Sequence, residues 1–255
     1  MSKNILEVSG LMMRFGGLLA VNGVKLTIKE GQVVSMIGPN GAGKTTVFNC
    51  LTGFYQPTDG KIVFAGEEIQ GLPGHKIARK GMIRTFQHVR LFKEMTVLEN
   101  LLVAQHQHLN NSLLAGLFKT PSYRKAEQEA LDNALYWLQK VRLVEDANRE
   151  AGTLAYGQQR RLEIARCMVT RPSLLMLDEP AAGLNPSETD ELKQLIKDLR
   201  DNHGISVLLI EHDMKLVMDI SDHIVVINQG TPLASGTPEQ VRNNPAVIKA
   251  YLGED

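Results

Sequence analysis

Eight consecutive residues constrain this chain more than any others: Gly38-Pro39-Asn40-Gly41-Ala42-Gly43-Lys44-Thr45. They match G-x-x-x-x-G-K-[ST] at every fixed position. Val33-Val34-Ser35-Met36-Ile37 reads as a strand leading in, and Val47 to Thr52 as a helix leading out. Glycines let the backbone wrap closely around phosphate. Exposed N–H groups point inward, and the helix N-terminus adds partial positive charge. The expected phosphate-binding set therefore runs from Gly38 through Thr46. Lys44 is placed to reach the β- and γ-phosphates of a nucleotide, and Thr45 to hold Mg²⁺. Such a loop needs a strand, a turn and a helix in succession, so the chain must contain an α/β layer.

The rest of the chain agrees with that requirement. Leu174-Leu175-Met176-Leu177, Val207-Leu208-Leu209-Ile210 and Ile224-Val225-Val226-Ile227 are strand-sized apolar runs suited to a sheet buried on both faces. Before residue 65 the chain reads as short strands broken by glycines. From 88 to 158 it reads as helical and polar, with helices over Glu94–Gln107 and Tyr123–Val141 and an insertion at 109–122 ending near Pro121. A further helix is expected over Pro186–Asn202. Asn185 caps it, Glu188 completes a capping box, and Leu192, Leu195, Ile196 and Leu199 line one face. At roughly 150 residues per domain, 255 residues make one large domain or a domain with a lobe inserted. With 43% hydrophobic residues, a sizeable core is available and disorder is excluded.

A second metal-side group should lie at a buried strand end. Leu174-Leu175-Met176-Leu177-Asp178 supplies it, with Asp178 toward Mg²⁺ and Glu179 next to it, placed to polarise an attacking water. A third element is Leu154-Ala155-Tyr156-Gly157-Gln158, followed by Gln159-Arg160-Arg161-Leu162-Glu163. Together these three stretches resemble the motifs of ATP-binding-cassette (ABC) ATPases, and the resemblance covers nearly the whole chain. It implies a P-loop NTPase core with an antiparallel β subdomain and an inserted helical lobe. The whole of 1–255 is then one ABC ATPase domain, with the core at 1–87 and 159–255 and the lobe at 88–158. It also implies ATP and Mg²⁺ as ligands, and two cassettes that sandwich ATP between the phosphate loop of one and the signature, Leu154 to Gln158, of the other.

The resemblance assigns further positions. Gln87 matches the glutamine at the junction of core and lobe, which contacts Mg²⁺ or water and senses the membrane partner. His212 matches the switch histidine on the γ-phosphate, and Phe15 stands where an aromatic stacks on adenine. Ala181 to Asn185 match the loop after the second metal-side motif. Taken alone, Gln87 reads as well as an ordinary polar residue, His212 as a surface histidine and Phe15 as a core aromatic. The signature departs from its commonest form. Ala155-Tyr156 stands in place of Ser-Gly, so the donors there reduce to backbone N–H groups, including that of Gly157. Asn185 stands where aspartate is usual.

Arg84-Thr85-Phe86-Gln87, then Arg90-Leu91-Phe92 and Met95-Thr96-Val97, look like the cassette of branched-chain amino acid importers. So does the signature through Leu162-Glu163-Ile164-Ala165-Arg166. The 109–122 insertion and the tail Ala250-Tyr251-Leu252-Gly253 look like the longer of the two cassettes in such systems. The implied partners are a second, related or identical cassette, two membrane permease chains and, indirectly, a periplasmic binding protein. The implied place is the cytoplasmic face of the inner membrane, reached through those partners. Arg79, Lys80, Arg84, Arg90 and Lys93 flank Gln87 and read either as a solvated face or as a docking surface.

Composition narrows the alternatives. Lys plus Arg total 28 and Asp plus Glu total 28, which argues against a nucleic-acid coat. No apolar run reaches the ~18–20 residues of a membrane span, and no secretory h-region is expected in the first 30 residues. Cys50 and Cys167 read as buried thiols rather than a disulfide. A cassette of another transporter, such as a lipopolysaccharide-export type, or of a nucleic-acid repair ATPase remains the alternative. The latter usually carries coiled-coil insertions or zinc modules, and two cysteines and a lobe of about 70 residues leave little room for either.

Overall fold

A computed structural model of the chain describes residues 3–105 and 121–252. The expected insertion at 109–122 falls almost entirely outside that range, as does Gly253. Two compact units are present. The first comprises the chain to Gln87, Pro172–Ala182 and the chain from Thr189. It holds a parallel sheet with the strand order β10-β9-β3-β8-β7-β6. The strands are β3 (Val33–Ile37), β6 (Met82–Arg84), β7 (Leu174–Asp178), β8 (Ser206–Ile210), β9 (His223–Asn228) and β10 (Thr231–Gly236), with only β10 antiparallel. Every residue of β3, β7 and β8 is buried. That is why these strands read as unbroken apolar runs rather than as alternations.

The expected antiparallel subdomain is a second sheet of order β2-β1-β4-β5, built from β1 (Asn4–Phe15), β2 (Leu18–Lys29), β4 (Asp59–Phe64) and β5 (Glu67–Glu68). Val33–Ile37 and Asp59–Phe64 are short strands as expected, but the stretch before residue 30 proves to be two strands of twelve residues each. Gly10 and Gly23, at φ +61° and +70°, do not end them. Gly10 lies where the β1–β2 register shifts between Val8 and Leu11, so glycine marks a bulge within a continuous ladder. Helix α1 (Lys44–Leu51) buries Val47, Phe48, Cys50 and Leu51 in one core with Leu6 and Ile62 of the antiparallel sheet and Met36, Met176 and Leu208 of the parallel sheet. A smaller cluster packs Ile37, at the end of β3, against Val217, Val241 and Val247.

The second unit comprises His88–Arg171 and Gly183–Glu188. After α2 (Gly74–Arg79) of the first unit come its helices α3 (Val97–Gln105), α4 (Pro121–Lys140) and α5 (Tyr156–Met168). Ala130, Ala134, Trp137 and Leu138 form the buried stripe of α4. Within this unit α5 packs on α3 and α4 and buries Leu162, Ile164 and Ala165. Helix α6 (Pro186–Asp201) opens with the expected reciprocal cap. Asn185 Oδ1 accepts the Glu188 N–H at 3.0 Å, and Glu188 Oε2 accepts the Asn185 N–H at 2.9 Å.

Candidate functional site

The ends of adjacent strands converge on one place. β3 lies between β8 and β9, and β7 lies beside β8 with Asp178 opposite Ile210. The loop after β3, the acids at the end of β7 and the residues after β8 therefore emerge together at the carboxyl edge of a parallel sheet, where open α/β folds bind ligands. A cleft of about 530 Å³ opens there, lined by Phe15, Leu18 to Ala20, Asn40 to Thr46, Glu179, His212, Gln229 and Gly230. All of these residues belong to the first unit.

The loop is glycine-built for steric reasons. A Cβ on Gly38 would stand 2.0 Å from the Ile227 carbonyl oxygen, and one on Gly43 2.7 Å from that of Ala20. Gly41 and Gly43 also hold φ at +78° and +97°. Gly43 caps α1, whose first residue is Lys44. The Lys44 ammonium donates to the carbonyls of Gly38 and Pro39 at 2.7 and 3.0 Å. Burial pulls its pKa below the ordinary lysine value, while Glu179 and Asp178 pull it the other way. Thr45 is exposed and Thr46 half-buried at the cleft wall. Phe15 lines the cleft and forms a T-shaped pair with Tyr55, ring centroids 5.2 Å apart.

Asp178 and Glu179 are neighbours with different surroundings. Asp178 is buried and receives the Arg84 guanidinium at 2.6 Å. Glu179 takes φ +48°, a left-handed conformation that costs a non-glycine residue about 1–3 kcal/mol. Its N–H donates to the Ile210 carbonyl at 2.9 Å, which holds that turn. Gln87 Nε2 donates to Glu179 Oε2 at 2.9 Å, and His212 Nε2 lies 3.2 Å from Oε1. Three residues singled out separately in the sequence thus form one hydrogen-bonded group. Glu211, just before the histidine, is buried and accepts the N–H groups of Ala181, His212 and Asp213. Burial raises its pKa, and those three donors oppose the rise.

Leu154 to Gln158 sit in the other unit, and none of them lines the cleft. Leu154 is buried, whereas Ala155 and Tyr156 are exposed at the start of α5. The Gln158 side chain accepts the Ala155 N–H at 3.0 Å, fixing that turn. A Cβ on Gly157 would stand 2.3 Å from Glu188 Oε1, so a larger residue there would push the Glu188 side chain out of its cap on Asn185. The Tyr156 ring lies under the Arg160 guanidinium, whose carbon is 5.6 Å from the ring centroid.

Several residues escape sequence reasoning. Arg84 leaves the expected basic face: its side chain is 7% exposed, against 4% for Asp178. Asn49 Oδ1 binds its second nitrogen at 2.6 Å. Tyr251, on the last described helix (Pro245–Leu252), lies close to the Gly38 backbone, and partial burial pushes its hydroxyl up to about 12. No local pattern announces these contacts, which join positions far apart in the chain. Glu211 alone left a trace, as an acid at the end of a buried strand.

The donor set suits Mg²⁺. Among the described residues no group of three or more His, Cys, Asp or Glu side chains forms a protein-built metal cage. A threonine hydroxyl and one buried carboxylate beside a phosphate loop match the way Mg²⁺ is held, through few protein oxygens and substrate phosphates.

Fold and cleft together define a nucleotide-binding ATPase of the cassette type. The ABC transporter family matches residues 21–182, and the branched-chain amino acid ATP-binding cassette transporter family matches residues 231–255. The chain belongs to the ABC transporter family, as an ATP-binding, ATP-hydrolysing subunit. It is 78% identical over 254 residues, covering 100% of both chains, to the high-affinity branched-chain amino acid transport ATP-binding protein BraF of Pseudomonas aeruginosa. It is 68% identical, again over 100% of both, to the corresponding protein LivG of Escherichia coli K12. Among solved structures it resembles the ADP conformation of MJ1267, an ATP-binding cassette of an ABC transporter. That match has a TM-score of 0.86 and 33% identity, and covers 99% of this chain and 100% of the other. No described helix is long and apolar enough to cross a membrane.

Proposed function

We propose that this chain hydrolyses ATP to drive the import of branched-chain amino acids, acting with a second cassette on two permease chains at the cytoplasmic face of the inner membrane. The substrate class rests on likeness to relatives whose names state it. The observation that carries the mechanism is the grip on Glu179 by Gln87 and His212 beside the phosphate loop.

The adenine stacks on Phe15, and the loop amides from Asn40 to Thr46 surround the β- and γ-phosphates. Lys44 leaves the Gly38 and Pro39 carbonyls to reach them. Thr45, Asp178 and Gln87 would hold Mg²⁺, which would neutralise charge on the phosphate oxygens. Glu179 orients the attacking water, with its carboxylate aimed by Gln87 on one side and His212 on the other. His212 turns to the γ-phosphate as the site closes. The first-turn N–H groups of α5, on Tyr156, Gly157 and Gln158, are suited to meet the γ-phosphate from a second cassette, with Leu154 and Ala155 shaping that turn.

The test is reconstitution. Vesicles carrying the permease chains that co-purify with this protein should take up labelled leucine, isoleucine or valine only when ATP and a binding protein are present. Transport-coupled hydrolysis that ignores all three amino acids overturns the substrate reading.

A further inference from the structure

Arg84 ends β6 and points inward. One nitrogen, Nη2, donates to Asp178 Oδ2 at 2.6 Å, and the other, Nη1, to Asn49 Oδ1 at 2.6 Å. Asn49 lies on α1, the helix whose first turn carries Lys44 and Thr45. The guanidinium carbon stands 5.4 Å from the Phe48 ring centroid and 5.5 Å from that of Phe86. A planar fork held between two rings and two oxygen acceptors has little freedom to turn. With the side chain almost fully buried, water competes poorly for either bond.

The geometry points to Arg84 as a positioning residue for the metal side of the site. By joining Asp178 to Asn49 it fixes the end of β7 against α1. It thereby sets the separation between the Asp178 carboxylate and the Thr45 hydroxyl. It also occupies Oδ2 and leaves Oδ1 to face the metal side. A lysine keeps the charge but bonds in one direction at a time, so it cannot tie both partners. This inference rests on the Mg²⁺ reading above.

Binding of a fluorescent ATP analogue, measured in EDTA and across an Mg²⁺ titration, separates the possibilities. The full-length wild type, Arg84→Lys and Asn49→Ala are compared, and neither variant changes the side-chain charge. In Arg84→Lys the Mg²⁺ half-saturation for the gain in affinity should rise about tenfold, while affinity in EDTA stays within about twofold of wild type. Asn49→Ala should shift the half-saturation the same way by a smaller factor. Wild-type half-saturation in Arg84→Lys overturns the assignment, as does an equal loss of affinity with and without Mg²⁺, which marks a merely structural role. A wild type whose affinity ignores Mg²⁺ removes the metal reading itself, and this inference with it.

Discussion

In the proposed mechanism the chemistry centres on Glu179, which holds a left-handed turn. Its φ is positive, and its carboxylate meets Gln87 through Oε2 and His212 through Oε1. Glu179→Gln keeps the shape and removes the charge that orients water. Steady-state hydrolysis should fall by about 10²-fold or more while nucleotide binding persists; turnover at the wild-type rate removes Glu179 from its role. Lys44→Ala deletes a buried ammonium, and nucleotide affinity should drop about tenfold or more, as read by fluorescent-nucleotide titration. The two cysteines carry a pH prediction. Burial pushes Cys50 up to about 11 and Cys167 up to about 12, so neither holds appreciable thiolate at neutral pH. Iodoacetamide should label neither in the native protein at pH 8, and both after denaturation. Rapid native labelling of Cys50 contradicts the burial of α1.

At the scale of elements, the phosphate loop is held by backbone, not by side chains that can move aside. In Gly38→Ala the new Cβ meets the Ile227 carbonyl at 2.0 Å, so the denaturation midpoint should drop by the equivalent of about 3 kcal/mol or more. Gly31→Ala is the control. Its φ is also positive at +69°, but nothing lies within 4 Å, and it should cost only about 1–2 kcal/mol. Comparable losses in the two variants would show that packing against β9 does not constrain the loop. Much of this was legible in sequence because burial on both faces writes itself as apolar runs. β3, β7 and β8 follow that rule, and the α6 cap follows its own. The long β1–β2 ladder was not legible, since a glycine at a bulge looks like a strand end. Nor was Arg84, for a charged letter in sequence does not name its partner 94 positions away.

At the scale of the whole molecule, the proposal makes each ATP site the work of two cassettes. The cleft gathers loop, Glu179 and His212 from one unit, and the signature stretch belongs to the other and exposes Ala155 and Tyr156. ATP bound without turnover should therefore hold cassettes together. Glu179→Gln with ATP should elute as a larger species than the nucleotide-free protein in size-exclusion chromatography. The most direct test is the ATP hydrolysis rate per chain, measured as the concentration of this chain, alone or with a second cassette, is raised. The account predicts a rate per chain that climbs with concentration and then levels off as pairs form. A rate per chain that is already maximal in dilute monomer, and flat throughout, contradicts it.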